Sequence, residues 1–412
     1  MVSILQDSNM RKALEDIKIA DFTWYVAGPF CTRYLADYGA QVIKVETSKY
    51  IDGVRPYPPY KDNIAGVNRG GYFHNYNSNK LGITLNMKHP KGREIARKII
   101  MWSDVVAESF NPGVMQGLGL GYDEIQKLKP EIIMISLSSK GQTGPQARLP
   151  AVGLHLAALS GFINITGWPD RDPSLLYGAY TDSIAGRFAA ASIMAALAQR
   201  HKTGKGQYID LAQSEAGIQF LIPPLLDYTA NGHVLNRDGN RHLAAAPHGA
   251  YRCRGEDRWC AIAVFKEEEW MALRRVMGHP SWGGYPRFAT LAGRKRNEDE
   301  LNGLVEQWTM NHTAEEVMRL LQEAGVSAGI LEKAEDLHRD PQLAARHHFW
   351  TLKHEEIGDS TYDGMGSILS ETPVELNRAS PVLGQDNYEV YTKILGLSDE
   401  EFIDLVQQGV FE

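Results

Sequence analysis

Short runs of β-branched and apolar residues alternate with helix-patterned stretches along the first half of the chain. Residues 17–22, 41–46, 104–108 and 132–137 read as strands, and 30–38, 90–102 and 122–128 as the helices between them. Pro90 stands where the first turn of a helix tolerates proline, and Pro112-Gly113 marks a turn. Strand, helix and strand recur in the order that βαβ units require. The pattern predicts a doubly wound α/β domain, Rossmann-like, with a mainly parallel sheet.

Residues 183–198 are rich in alanine and other small residues and predict a buried helix with close neighbours. Residues 201–206 break it, and 207–212 resume as a short strand. After Pro223-Pro224 the character changes. Residues 231–246 are polar and contain glycine, and 250–264 read as two antiparallel strands around Gly255-Glu256-Asp257. Amphipathic helices follow at 266–277, 297–308 and 313–324, the last opened by a Thr313/Glu316 capping box. A smaller α+β domain over 227–338 is expected, after a large first part over 1–226. The tail, 339–412, ends in helices at 387–395 and 399–408.

Composition narrows the classes. Hydrophobic residues make up 43% of 412 and charged residues 23%, the mixture of a soluble globular protein. A formal charge of −7 provides no global basic field for nucleic acid or for an anionic membrane. Three scattered cysteines, Cys31, Cys253 and Cys260, argue against a disulfide framework and against a zinc site, so no metal is expected. The first fifteen residues carry charges throughout, unlike a signal peptide, and the apolar run at 188–197 is too short to span a bilayer. A reducing, cytoplasmic setting is the expectation.

Familiar nucleotide signatures are missing. No strand leads into a dinucleotide fingerprint, and no phosphate loop is present. Gly117-Leu118-Gly119-Leu120-Gly121 follows a Pro-Gly turn and reads as a glycine-rich connection. His155, His242 and His248 are isolated and read as structural or loop histidines. Asp182 stands apart, in Thr181-Asp182-Ser183-Ile184-Ala185-Gly186 just before the small-residue helix. Two readings fit it: an N-cap that satisfies free amides, or a nucleophile held where the helix dipole favours an anion.

At this point a family comes into view. Asp21-Phe22-Thr23, Ala27-Gly28-Pro29-Phe30-Cys31-Thr32, Leu35-Ala36-Asp37-Tyr38-Gly39-Ala40 and Val42-Ile43-Lys44-Val45-Glu46 resemble the amino-terminal signature of class III CoA-transferases, the CaiB/BaiF group. Asn77-Ser78-Asn79-Lys80, Thr84-Leu85-Asn86-Met87-Lys88, Asn111-Pro112-Gly113-Val114, Gly141-Gln142-Thr143-Gly144-Pro145, Thr203-Gly204-Lys205-Gly206-Gln207 and Gly384-Gln385-Asp386-Asn387 continue the resemblance in order. It implies an interlocked-ring homodimer, alone or with a related subunit, whose carboxy-terminal segment, 339–412, returns to complete the large domain. It assigns Asp182 as the nucleophile that carries acyl and then CoA, with acyl-CoA and small carboxylic acids as substrates. It places coenzyme A against Val26 and Ala27, against Leu85, Asn86, Met87 and Lys88, against Ser109, Phe110 and Asn111, and against Ser138, Ser139, Lys140 and Gly141. Arg55 and Arg93 are added as phosphate partners. Ala245, Pro247 and His248 fall in the loop that covers the substrate in this family.

Two departures stand out. Thr47 occupies a position where some members carry a CoA-binding arginine, and Ala244-Ala245-Ala246-Pro247-His248-Gly249 replaces a glycine-rich loop. Two rivals remain in view. An α-methylacyl-CoA racemase would need a histidine base, but the corresponding position is Val152, with His155 on a different helix face. A non-catalytic CoA-binding protein would use Asp182 only as a cap. Trp24, Tyr25, Phe73, Tyr76 and Tyr180 are candidates for an acceptor pocket, with core packing as the alternative for each. An aromatic or alkyl-substituted, benzylsuccinate-like acid with succinyl-CoA as donor is the expected pair.

Overall fold

The computed structural model describes residues 11–178 and 180–412; the leader reading of residues 1–10 lies outside them. The chain divides into two compact units. The larger comprises the residues through Asn164, Ser174–Leu235 and Ala344–Glu412, and the smaller Ile165–Pro173 and Asn236–Leu343.

In the larger unit six strands form one sheet: β1 (Lys18–Phe22), β2 (Gln41–Glu46), β3 (Lys80–Thr84), β4 (Val105–Glu108), β5 (Ile133–Ser138) and β6 (Tyr208–Ala212). Their order is β3-β2-β1-β4-β5-β6 and every pairing is parallel. Chain order reverses between β1 and β4, the place where open α/β sheets leave a crevice. Strands β4 and β5 are buried at every position, as a parallel sheet covered on both faces requires. Strand β3 was not expected, because Lys80 and Gly82 lower its strand propensity. Tertiary contacts override that weakness. Lys80 is fully buried on an acid, and a Cβ at Gly82 would stand 2.5 Å from Pro381 Cγ.

Helix α1 (Ala27–Asp37) follows β1, α2 (Gly71–Tyr76) precedes β3, and α3 (Pro90–Trp102) crosses to β4. Ile95, Ala96, Ile99 and Ile100 of α3 share one core with Ile43, Ile83, Val390, Tyr391, Leu405 and Phe411. The carboxy-terminal segment is thus bound into the larger unit by its apolar side chains. It also contributes an unforeseen hairpin, β10 (Phe349–His354) with β11 (Gly358–Asp363), taking β7 to β9 as the strands of the smaller unit described next.

In the smaller unit β7 (His248–Arg252), β8 (Trp259–Ala263) and β9 (Ser327–Ile330) pair antiparallel. Tyr251, Ile262, Trp270, Leu273, Phe288, Leu301, Val317 and Leu321 fill its core. The Thr313 hydroxyl accepts the Glu316 amide at 3.2 Å, and the Glu316 carboxylate accepts the Thr313 amide at 2.8 Å, closing the expected capping box. One expectation is corrected in the larger unit. The long helix runs from Tyr180 to Thr203, through His201, and ends where Gly204 takes φ +70°. The prolines at 223 and 224, after which the character of the sequence changes, sit in the first turn of a helix over Ile222–Asn231, where their missing amides cost nothing.

Candidate active site

All six strands point the same way, so the loops after β1, β3, β4 and β5 gather at one edge of the sheet. The loop after β1 is held amide by amide. Thr23 N donates to Asp21 Oδ1 at 2.9 Å, Trp24 N to Ser109 Oγ at 2.9 Å, and Tyr25 N to Asp52 Oδ1 at 2.9 Å. Val26 then opens α1, its carbonyl accepting Phe30 N at 2.9 Å.

Beneath that loop lies a dry ionic cluster. Lys80 Nζ is 3.0 Å from Asp21 Oδ2 and Lys44 Nζ is 3.0 Å from Asp52 Oδ2, all four side chains fully buried. Burial works against each charge. At Asp21 the Lys80 and Lys44 charges with the Thr23 and Thr32 hydroxyls prevail, holding the carboxyl below its usual range. At Lys80 burial prevails over Asp21 and brings the ammonium down to about 8. At Lys44 the acids, Asp52 foremost, overcome burial and raise it.

Asp182 is in the first turn of the Tyr180–Thr203 helix, not at an N-cap preceding it. Only 8% of it is exposed, and burial pushes its carboxyl up to about 7. Gly186 follows one turn later on the same face. A Cβ there would stand 2.8 Å from Ala27 O and 3.2 Å from the Phe30 ring, so this face lies against the start of α1. Thr181 Oγ1 donates to Gly153 O at 3.1 Å and fixes the neighbouring strand of chain. Tyr76, edge-on to Phe30 at 5.4 Å, is raised to about 12 by burial and then by Tyr72, Asp363 and Asp182, so its hydroxyl stays protonated.

The residues assigned to coenzyme A divide in their placement. Leu85 N bonds Glu46 O and Asn86 N bonds Val410 O, both at 2.8 Å, which sets Met87 and Lys88 beyond the end of β3. Lys88 Nζ lies 4.5 Å from the centre of the exposed Tyr50 ring, and Arg93 Nη1 donates to Lys88 O at 3.1 Å. Glu108, raised to about 7 by burial, accepts Phe110 N at 2.8 Å and shapes the Ser109–Asn111 turn. Ser138 ends β5; Ser139 Oγ donates to Ala151 O at 3.1 Å, and Gly141 takes φ +85°, beside Lys140.

Arg55 is a correction. Its Nε and Nη2 form a fork on Glu46 at 2.7 and 2.6 Å, Nη1 donates to Asn68 Oδ1 at 2.9 Å, and its face covers the Phe73 ring at 3.6 Å. Its Nη2 also donates to Pro381 O at 3.2 Å, and the side chain is fully buried, so it presents no surface to a phosphate. Thr47, the departure noted in sequence, donates to Glu412 O at 2.9 Å. Ala245, Pro247 and His248 lie in the smaller unit. Ala245 is fully buried, and His248 Nδ1 is 2.5 Å from Asn240 O. Sequence reasoning missed Asp21, Lys44, Asp52, Lys80 and Glu108 as supports. For all but Asp52, which lies in the loop after β2, the available signal was a charged residue inside or at the end of an otherwise apolar strand.

Among the described residues no group of His, Cys, Asp and Glu side chains could hold a metal ion. None of the described helices is long and apolar enough to cross a membrane.

The fold and site define an α/β protein with a buried carboxyl beside the crevice edge of a parallel sheet. The chain belongs to CoA-transferase family III, whose model matches residues 14–387, and it is an enzyme that transfers CoA with acyl-CoA as substrate. It is 32% identical over 399 residues to the succinyl-CoA–D-citramalate CoA-transferase of Chloroflexus aurantiacus, covering 97% of this chain and 98% of that one. It is 31% identical to the formyl-CoA:oxalate CoA-transferase of Streptomyces avermitilis, covering 97% and 100%. With the human succinyl-CoA:glutarate CoA-transferase the identity is 29%, over 98% and 91%. A crystal structure of a CaiB/BaiF family protein from Brucella suis superposes with a TM-score of 0.85 at 28% identity, covering 93% of this chain and 99% of that one.

Proposed function

We propose that Asp182 is the nucleophile that carries the acyl group and then CoA between two carboxylic acids. The single observation behind this is a carboxyl buried in the first turn of a helix whose next turn packs on α1, with its ionisation moved to about 7. At neutral pH a substantial fraction is ionised yet poorly solvated, a reactive state for an oxygen nucleophile.

The carboxylate attacks the carbonyl carbon of the donor thioester. The C–S bond breaks, leaving a mixed anhydride on Asp182 and CoA thiolate. The thiolate attacks the Asp182 carbonyl, the donor acid departs as carboxylate, and an aspartyl-CoA thioester remains. The acceptor carboxylate attacks that thioester, and the released thiolate takes the acceptor acyl group, restoring Asp182. Every intermediate is an activated acyl group, so the exchange needs no nucleotide hydrolysis. Water must be excluded, and the buried setting of Asp182 serves that need.

Coenzyme A would run along Val26 and Ala27, Met87 and Lys88, Ser109 to Asn111 and Ser138 to Gly141, with Lys88 and Arg93 on its phosphates. Succinyl-CoA as donor draws support from the names of the citramalate and glutarate relatives. A benzylsuccinate-like acceptor draws support from Phe30, Tyr72 and Tyr76, which group near Asp182. A homodimer would cover Ile222, Leu225, Leu226 and Tyr228, all exposed on one helix. Three buried free cysteines suit a reducing, cytoplasmic compartment.

The racemase reading gains nothing here: Val152 has no titratable side chain, and the exposed His155 accepts the Val152 amide at 3.4 Å. The decisive experiment incubates the protein with succinyl-CoA and hydroxylamine and maps the modified residue by mass spectrometry. Modification at Asp182 and loss of exchange in Asp182→Asn are expected. Exchange at the normal rate by Asp182→Asn would refute the assignment.

A further inference from the structure

Two loops leave the carboxyl ends of neighbouring strands, 47–50 after β2 and 85–89 after β3. Both are fastened to one short strip of chain, residues 410–412. Asn86 N donates to Val410 O at 2.8 Å, Thr84 Oγ1 to Phe411 O at 2.8 Å, and Thr47 Oγ1 to Glu412 O at 2.9 Å. Three successive carbonyls therefore bridge the two strand ends. Further bonds stiffen each loop. Lys49 N donates to Thr47 Oγ1 at 3.3 Å, Lys88 N to Asn86 Oδ1 at 3.1 Å, and Arg93 Nη1 to Lys88 O at 3.1 Å. Gly92 approaches so closely that a Cβ on it would stand 2.0 Å from Asn86 O.

This framework holds in place a pair of side chains that does nothing for the core. Tyr50 is 60% exposed, and its hydroxyl makes no hydrogen bond among the described residues. Lys88 Nζ lies 4.5 Å from the centre of its ring. A cation over an exposed ring gains little by itself, so the contact does not account for the scaffold under it. Glu412 and Asp404 of the carboxy-terminal segment are paired with Lys49 at 2.7 Å and with Lys91 at 3.6 Å. Lys88 keeps its charge for something else. An open aromatic ring beside such an ammonium, at the carboxyl edge of a parallel sheet, matches a ligand that carries both a base and a phosphate. We infer that Tyr50 is a further CoA-binding residue: its ring stacks on the adenine while Lys88 meets the neighbouring phosphate. Residues 410–412 are the positioning strip that keeps the two loops at the spacing this requires. The inference deepens the assignment of this edge to CoA and rests on it.

The test titrates the full chain by calorimetry with CoA and with 4′-phosphopantetheine, which has no adenine, and records thermal melts alongside. Tyr50→Ala is expected to weaken CoA about tenfold, to leave the phosphopantetheine Kd unchanged and, because the ring is exposed, to melt with the parent. Tyr50→Phe should keep the parent's CoA affinity, since stacking uses the ring and not the hydroxyl. Thr47→Val, which removes one bond of the strip, should weaken CoA by a smaller factor. An unchanged CoA Kd in Tyr50→Ala, or equal weakening of both ligands, overturns the inference and leaves the CoA assignment standing. A parent protein that binds no CoA overturns that assignment, and this outcome shows before any variant is made.

Discussion

Gly186 and Ala27 set the distance between the Asp182 helix and α1: a Cβ on Gly186 would stand 2.8 Å from the Ala27 carbonyl oxygen. Alanine would improve helix propensity by about 1 kcal/mol, but here the neighbour is backbone and cannot rotate away. Gly186→Ala is expected to lose about 1–3 kcal/mol through overpacking. Because Asp182 is on the same face one turn earlier, the rate of exchange should fall by more than the folded fraction does. Thermal melts beside initial rates check both; a variant as stable and as fast as the parent would show the helices to be loosely coupled.

Burial of Asp182 also fixes a pH dependence. Its folded value is about 7 against about 3.8 for an unperturbed carboxyl, so the folded chain holds the proton more tightly. Between those two values the folded state binds more protons than the unfolded, and stability from this group falls as pH rises, then levels above 7. Asp182→Asn removes the effect. Its stability relative to the parent should climb between pH 4 and 7, by at most about 1.4 kcal/mol per pH unit. Parent kcat/KM should rise through the same midpoint as the nucleophile ionises. Denaturant midpoints at pH 5 and 8 decide the first point; a constant gap would mean that the carboxyl is solvated.

Much of the sheet was legible because strands buried on both faces must be apolar throughout, and β1, β2, β4 and β5 begin within one residue of the expected positions. The polar exceptions hid the rest. Lys-Leu-Gly-Ile-Thr at β3 resembles a turn until Asp21 and Pro381 are in place around it. Asp182 looked like a cap because aspartate is a favoured N-cap residue and an alanine-rich run follows it, yet the helix already includes Tyr180 and Thr181. Arg55 looked like a free cation because its partner Glu46 is at the end of another element, invisible to spacing. Local patterns report which faces are buried; they do not report which charges meet.

That correction separates two basic residues by experiment. Arg55→Ala would strand Glu46, 1% exposed at its side chain, without its fork of hydrogen bonds. Removing one partner of a buried pair costs about 3–5 kcal/mol, so the variant should unfold early while its folded fraction still binds CoA. Lys88 lies in the open over Tyr50, with no carboxylate pairing it among the described contacts. Lys88→Ala should leave the melting temperature near the parent and weaken CoA binding, with a smaller salt dependence. If Arg55→Ala instead folds normally and loses CoA affinity, its engagement with Glu46 is not what holds it.

The Asp21–Lys80 pair supports the loop that carries Val26, and its protonation gives the sharpest check on the dry cluster. Lys80 is brought down to about 8 by burial, opposed by Asp21. Between that value and its unfolded one near 10.5 the unfolded chain binds more protons, so this group makes stability rise with pH over that window. In Asp21→Asn the opposing charge is gone while burial remains, so the lysine value should drop further and the rise should begin below pH 8. The single variant should be destabilised by about 3–5 kcal/mol at pH 7, because an ammonium is left with only Pro29 O and Asn77 Oδ1, both at 2.9 Å. Asp21→Asn combined with Lys80→Met should regain much of that loss, since no isolated charge is left in the apolar interior. Urea midpoints from pH 6 to 10 for the parent, the single and the double variant distinguish this from simple loss of packing: packing defects would shift all pH values equally, and a double variant as weak as the single would mean that shape rather than charge holds the two strands' ends together.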